Sequence, residues 1–197
     1  MNFGPMVLRA ASTLCIFAGA ANATEIQFEG AAPPAGLLNL SPGAPYTEAG
    51  FTFTPANEQA AIFDAAYPGA SFPGDSTSWL GFTAGNTITI TGPSAFDLIM
   101  LDLGPSTLGS GTTDISIFAD IFGGGTETTT FSGLTTDTTE SMNWTGLQDV
   151  QITGDTDSAI DNVIVNPSSG TPEPGTMLLL AAGLGAVGFV RRRSSNV

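Results

Sequence analysis

Apolar residues in this chain come in short runs, and in several runs they alternate with polar ones. In NTITIT (86–91) the isoleucines at 88 and 90 face one way and the threonines the other, the period of two that marks a half-buried strand. Ile115, Ile117, Ala119 and Ile121 form a second stripe of this kind within DISIFADIF (114–122). The same reading places strands at EIQFE (25–29), GFTFT (50–54), AAIF (60–63), SWLGF (78–82) and FDLIMLDL (96–103). Further ones follow at ETTTF (127–131), DVQIT (149–153) and AIDNVIV (159–165). Between them stand TGP (91–93), LGP (103–105), FGGG (122–125) and TGD (153–155), whose Gly and Pro suit turns. About ten short strands with this punctuation predict an all-β fold, an antiparallel β-sandwich of jelly-roll or related Greek-key type.

Three stretches break the pattern. AAPPAGLLNLSPGAP (31–45) reads as a long loop in which Pro fixes extended segments. The Thr-rich GTETTTFSGLTTDTTES (125–141) reads as a hairpin with a solvated face, with O-glycosylation as the alternative use of its hydroxyls. NPSSGTPEP (166–174) is a Pro/Ser/Gly linker. No repeat of about 20–50 residues is present, which argues against a propeller or solenoid.

A helical period occurs only at the two ends. Arg9, the apolar LCIFAGA (14–20) and the small-x-small Ala21-Asn22-Ala23 make residues 1–23 a secretory signal peptide, cut between Ala23 and Thr24 by signal peptidase after passage through the secretion translocon. A buried N-terminal helix would leave the AGAANA run unexplained. A lipoprotein site would want Leu three residues before the single cysteine, Cys15, and Ser12 stands there. At the other end, Met177 to Val190 is free of charge and is followed by Arg191, Arg192 and Arg193. At ~1.5 Å per residue this run covers roughly 21 Å, short of a ~30 Å hydrocarbon core, so it makes a poor permanent anchor. The arginines mark a cytoplasmic stop and put the body on the far side of the membrane. The chain therefore divides into a signal peptide (1–23), a β-sandwich domain (24–165), a linker (166–174) and a hydrophobic transmembrane sorting helix with its Arg tail (175–197).

Charge removes whole classes of chemistry. The four basic residues are Arg9 and Arg191 to Arg193, and histidine and lysine are absent. Of the 18 acidic residues, all but Glu173 lie between Thr24 and Thr171. A body without cations cannot neutralise phosphates, which excludes nucleic acid as a partner, and it gains nothing from anionic lipid. Without His, Lys or Cys it has no Ser-His-Asp triad, no Cys-His pair, no Schiff-base lysine and no His-ligated zinc. Carboxylate-pair glycoside hydrolysis and calcium-based chemistry survive as options.

Pro172-Glu173-Pro174, the run MLLLAAGLGAVGFV and Arg191-Arg192-Arg193 together resemble the PEP-CTERM sorting signal of Gram-negative bacteria. The resemblance implies transient insertion in the inner membrane and recognition of the Pro-Glu-Pro box by an exosortase. It further implies cleavage near that box and association with exopolysaccharide, biofilm or floc at the cell surface. Gly175 stands where the family commonly has Ser, which bears on the processing position alone. The body, with IQFE (26–29), YTEAGFTF (46–53), WTGLQDVQI (144–152) and IDNVIV (160–165), resembles passenger domains found with this signal, expected to be lectin-like or carbohydrate-binding-module-like sandwiches. On this basis the protein is expected to be a non-catalytic matrix component. The alternatives are a module with a defined glycan ligand and a carboxylate-dependent glycoside hydrolase or lyase.

Candidate sites within the body are few. Asp155, Asp157 and Asp161 in GDTDSAID (154–161) offer hard oxygen ligands at a spacing that suits a shared Ca2+ ion, with Glu25 or Glu29 brought near Asp161 if the first strand pairs with the last. The alternative is a solvated turn whose carboxylates bond backbone amides. No cofactor is certain. Trp79, in the polar neighbourhood GDSTSWLGF, is the candidate for stacking on a sugar, against the alternative of filling a core; Trp144 is read as core. Asp97 with Asp102, or Asp114 with Asp120, are the carboxylate pairs a hydrolase would use, although their spacing fixes no separation in space.

Overall fold

The computed structural model describes residues 23–70, 72, 76–106 and 111–167. The expected signal peptide, save Ala23, and the expected sorting helix lie outside these residues. Among the described residues there are eleven strands and no helix. They are β1 (Thr24–Ile26), β2 (Leu37–Leu40), β3 (Tyr46–Glu48), β4 (Phe51–Pro55), β5 (Ala60–Phe63), β6 (Trp79–Phe82), β7 (Thr87–Pro105), β8 (Thr113–Ile121), β9 (Thr126–Leu134), β10 (Thr138–Gly154) and β11 (Ser158–Pro167). Every pairing is antiparallel.

Two long strands build both layers. β7 is 19 residues long and β10 is 17, and their shared ladder shifts register three times between Ser141 and Asp149. Bulges of this kind bend a strand and increase its twist, so each strand serves one layer with its first half and the other with its second. Thr87–Thr91 of β7 pairs with β4 on one side and with Asp149–Thr153 of β10 on the other; β10 passes on to β8, and β8 to β9. Beyond the bend, Phe96–Pro105 of β7 pairs with β11, which carries β1 and β6 on its far edge, and β6 leads on to β5 and β2.

The alternation read from the sequence decides what faces inward. Ile88, Ile90, Ile115, Ile117, Val150 and Ile152 from the first layer share one core cluster with Leu98, Leu101, Leu103, Ile160, Val163 and Val165 from the second, each 0 % exposed. At ~1.5–3 kcal/mol per buried side chain this core is the main stabilising term, since the body contains neither a disulfide nor a cation to pair its acids. A smaller cluster lies on the other side of the second layer, where Ala61, Phe63, Ala70, Phe72, Trp79 and Ala159 pack together. The chain between β5 and β6 therefore covers what would otherwise be an outer sheet face, and all four residues of β5 and of β6 are buried.

Several boundaries differ from expectation for identifiable reasons. β1 stops at Ile26 because Phe28 takes a left-handed φ of 59° and turns its ring inward, 5.1 Å from the ring of Phe53 in a T-shaped contact. The tertiary contact outweighs a backbone cost of roughly 1–2 kcal/mol. The expected loop 31–45 contains β2, whose short LLNL run pairs with β5 at the edge of the sheet. NTITIT and FDLIMLDL are one strand rather than two, because Gly92–Ala95 between them form an unpaired bulge while β7 stays paired with β10 on either side of it. The Thr-rich stretch forms β9 and the start of β10, and β11 continues two residues past Val165.

Candidate functional site

The acidic turn 155–157 joins β10 to β11 and holds neighbouring segments together. The Asp155 carboxylate accepts the Asp114 backbone N–H at 2.7 Å and the Thr113 hydroxyl at 3.2 Å through Oδ1, while its own N–H donates to the Asp114 carbonyl at 3.0 Å. Asp114 Oδ1 in turn accepts the Gly133 N–H at 2.7 Å, which ties β8 to β9. Asp157 Oδ1 accepts the Ala84 N–H at 3.2 Å, and its carbonyl accepts the Ser106 N–H at 3.0 Å. Asp161 lies fully buried within β11, where Thr77 donates to Oδ2 at 2.6 Å.

These positions correct the reading of Asp155, Asp157 and Asp161 as one calcium cluster. Asp161 is four residues beyond Asp157, and a strand rising ~3.3 Å per residue carries it roughly 13 Å away. Each carboxylate instead serves a different segment: the β8 start, the 84 turn and the chain before β6. Among the described residues no group of three or more His, Cys, Asp and Glu is arranged to hold a metal ion. β1 does pair with β11, with Glu25 opposite Ile164, and Glu29 accepts the Ser78 N–H at 2.8 Å. Glu29 and Asp161 thus fasten adjacent residues, Ser78 and Thr77, on the approach to β6.

The carboxylate pairs separate too. Asp114 and Asp120 share the outer face of β8, but six residues put ~20 Å between them, beyond the ~5–10 Å of glycosidase carboxyl groups. Asp97 accepts the Gly146 N–H at 2.9 Å, and Asp102 accepts the Asn162 amide at 2.7 Å. Trp79 is 2 % exposed, its ring stacked on Phe63 at 4.3 Å and 15° and flanked by Phe72. It fills the smaller cluster and presents no face to a sugar, which corrects its reading as a glycan contact; Trp144 is partly buried against the main core. Tyr46 donates to Glu48 at 2.9 Å, and burial, that bond and the carboxylate's charge all push its phenol above its ordinary value.

The outer face of the first layer has a different character. One row across it runs Thr54, Thr89, Gln151, Phe118, Thr128, on β4, β7, β10, β8 and β9 in turn. A second runs Thr87, Thr153, Ser116, Thr130. A third runs Thr52, Thr91, Asp149, Asp120, Thr126. Phe118, 37 % exposed, is the one apolar side chain in these rows. Thr87 and Thr153 share a hydrogen bond at 2.7 Å and Ser116 and Thr130 one at 3.0 Å. At one end of the face a shallow cleft of about 430 Å³ is lined by Gly85, Asp114, Ser116, Thr130, Thr153, Gly154 and Asp155. Phe118 does not stand out in the sequence as a site, yet the period of two that buries Ile115 and Ile117 sets it on the opposite face with Asp114, Ser116 and Asp120.

Ala23 is exposed and Thr24 opens β1 opposite Val165. Pro172, Glu173, Pro174, Arg191, Arg192 and Arg193 fall outside the described residues, and sequence comparison speaks to them. Residues 171–194 match the family described as the PEP-CTERM protein-sorting motif. The chain carries a PEP-CTERM sorting motif. Such a motif implies an exported protein that an exosortase sorts to the cell surface. No curated protein matches the chain as a relative. Among solved structures, it resembles TmCBM61, determined in complex with beta-1,4-galactotriose, at 9 % identity over 59 % of this chain and 88 % of that one, with a TM-score of 0.37. It also resembles the enzymatically active domain of bacteriophage CBA120 tailspike protein 4 at 13 % identity over 60 % of this chain and 19 % of that one, with a TM-score of 0.31. The fold of the described residues rests on their own strand pairing.

Proposed function

We propose that this protein is a non-catalytic component of the extracellular matrix of a Gram-negative bacterium, associated with exopolysaccharide. The hydrophobic segment within residues 175–197 holds it briefly in the inner membrane, and an exosortase then cleaves near Pro172-Glu173-Pro174. The observation that carries the reading is the partition of charge around the sorting motif: every basic residue lies in a terminal segment, and every acid but Glu173 lies in the body. Removal of both ends leaves a rigid, cation-free β domain, suited to a hydrated polymer and unsuited to nucleic acid or anionic lipid. The acids of the turns support the same view, since each holds a neighbouring amide or hydroxyl.

Mass spectrometry of protein recovered from the matrix fraction, with and without the exosortase, tests this. The expected species lacks residues 1–23 and the arginine tail, and cells without the exosortase retain the tail. Persistence of Arg191–Arg193 in matrix-released protein would overturn the sorting account. Release of reducing ends from matrix polysaccharide by the purified protein would favour the hydrolase alternative.

A further inference from the structure

We infer that the outer face of the first layer is a binding platform for a neutral polysaccharide strand, with Phe118 as the ring on which a sugar stacks. The inference deepens the matrix reading by naming a surface and a ligand class, and it rests on that reading only for where the polymer is met.

A sugar ring has an apolar C–H face and an edge of hydroxyls. Phe118 supplies the complement of the first, a partly exposed aromatic surface on the fourth strand of a five-strand row. Its cross-strand neighbours Gln151 and Thr128 supply the second, as an amide and a hydroxyl that both donate and accept. The row from Thr54 to Thr128 crosses four strand spacings, ~19 Å, long enough for several sugar units. Scattered exposed apolar residues need no explanation in general; this one is the lone ring in rows otherwise made of Thr, Ser, Gln and Asp.

The face is also ordered before any ligand arrives. Threonine is stiff at χ1, and the bonds Thr87–Thr153 and Ser116–Thr130 fix hydroxyl positions while leaving each oxygen further hydrogen-bonding capacity. Little side-chain entropy remains to be lost on binding, which favours a polar ligand that gains only modestly per hydrogen bond. Charge selects among polymers. Asp114, Asp120, Asp149 and Asp155 lie on or beside the face, and the body contains no Lys, Arg or His. An acidic polysaccharide, or a second copy of this chain, would meet like charge with nothing to neutralise it; a neutral one meets acceptors for its hydroxyls.

The test uses the processed protein from culture medium, in affinity electrophoresis through gels containing the neutral or the acidic fraction of the organism's own exopolysaccharide, separated by anion exchange. The neutral fraction is expected to retard the protein and the acidic fraction to leave it unaffected. Phe118→Ala should weaken retardation tenfold or more, Phe118→Trp should restore it, and Phe122→Ala, at a 69 % exposed ring outside the three rows, should change nothing. Circular dichroism confirms that each variant is folded. Absence of retardation by the neutral fraction, retardation by the acidic fraction alone, or retardation that survives Phe118→Ala overturns the platform. So does a dimer in light scattering that Phe118→Ala abolishes, which would make the occupant a second copy. A protein that is cleaved and retained in the matrix yet fails these gels refutes the platform and leaves the matrix reading standing. One that passes the gels but keeps its arginine tail does the reverse.

Discussion

Gly81 offers a sharp test of the smaller cluster because the structure fixes the sign of an otherwise ambiguous substitution. In the middle of a strand, Gly→Ala ordinarily stabilises by roughly 0.5–1 kcal/mol, since Gly gives up more backbone freedom on folding. Gly81 sits inside β6, so that gain is available in principle. A methyl group built there, however, would lie 2.5 Å from Cζ3 of Trp79 and 3.0 Å from Cε2 of Phe63. Carbon atoms rest at ~3.5–4.0 Å, so the stacked rings must move by about 1 Å. They are hemmed in by Phe72 and Ala159, and overpacking of this kind costs about 1–3 kcal/mol. Gly81→Ala is therefore expected to destabilise the exported protein by about 1–2 kcal/mol in urea unfolding followed by far-ultraviolet circular dichroism. The decisive measurement is the double-mutant cycle with Trp79→Leu. Removing the ring makes room for the methyl, so Gly81→Ala in that background should be neutral or stabilising, with a coupling energy of at least ~1 kcal/mol. Additive effects, or a stabilising Gly81→Ala in the wild-type background, would refute the packing described for Trp79.

Asp155→Ala removes the acceptor for the Asp114 N–H and the Thr113 hydroxyl and should cost about 2 kcal/mol in the same assay, with Asp155→Asn recovering part of it. Tyr46 has a folded pKa above its unfolded value of ~10. Its contribution is whole below that pH and is lost as pH rises through it, because the unfolded chain releases the proton first. Urea midpoints between pH 8 and 11 should fall less steeply in Tyr46→Phe, and an unchanged slope would contradict this. The separation of Asp155, Asp157 and Asp161 predicts that millimolar calcium and sodium chloride of equal ionic strength raise the thermal midpoint equally, by screening the acidic body; a shift specific to calcium and reversed by chelator would restore the metal cluster.

The parts legible in the sequence were those governed by a local period. Ile88 and Ile90, or Ile115 and Ile117, announce their buried face because a strand alternates whatever it pairs with. Joins and bends were not legible. TGPSA looks like a chain reversal but is a bend inside β7, since Gly and Pro serve a bulge as well as a turn. The burial of Trp79 is not legible for a related reason: its polar neighbourhood in sequence says nothing about Phe63, Ala70 and Phe72, which pack against it. The period of β8 puts Phe118 on the polar face, but a single ring there is not marked off in the sequence from a scattered exposed apolar residue. The aspartates of 155–161 are close along the chain, and the start of β11 between Asp157 and Asp161 turns that spacing into distance.

The absence of cations in the body links the fold to its surface. Elsewhere a buried or crowded carboxylate is commonly met by Lys or Arg; here only backbone amides, hydroxyls and side-chain amides can do it. Asp97, Asp114, Asp155 and Asp157 each take a backbone N–H from a neighbouring segment, Asp161 takes the Thr77 hydroxyl, and Asp102 takes the Asn162 amide. Such bonds need acceptor and donor held close by the backbone itself: Asp114, Asp155 and Asp157 find them at a strand start and a turn, and Asp97, Asp102 and Asp161 find them within strands, against a neighbouring segment. The same constraint explains the threonines of the outer face. A sheet surface without Lys or Arg must remain soluble on short polar side chains, and Thr combines a hydroxyl with a high strand preference. Replacing Thr128 by Lys would therefore alter more than a surface charge: it would place a long cation beside Phe118, whose cross-strand neighbours Gln151 and Thr128 are both uncharged.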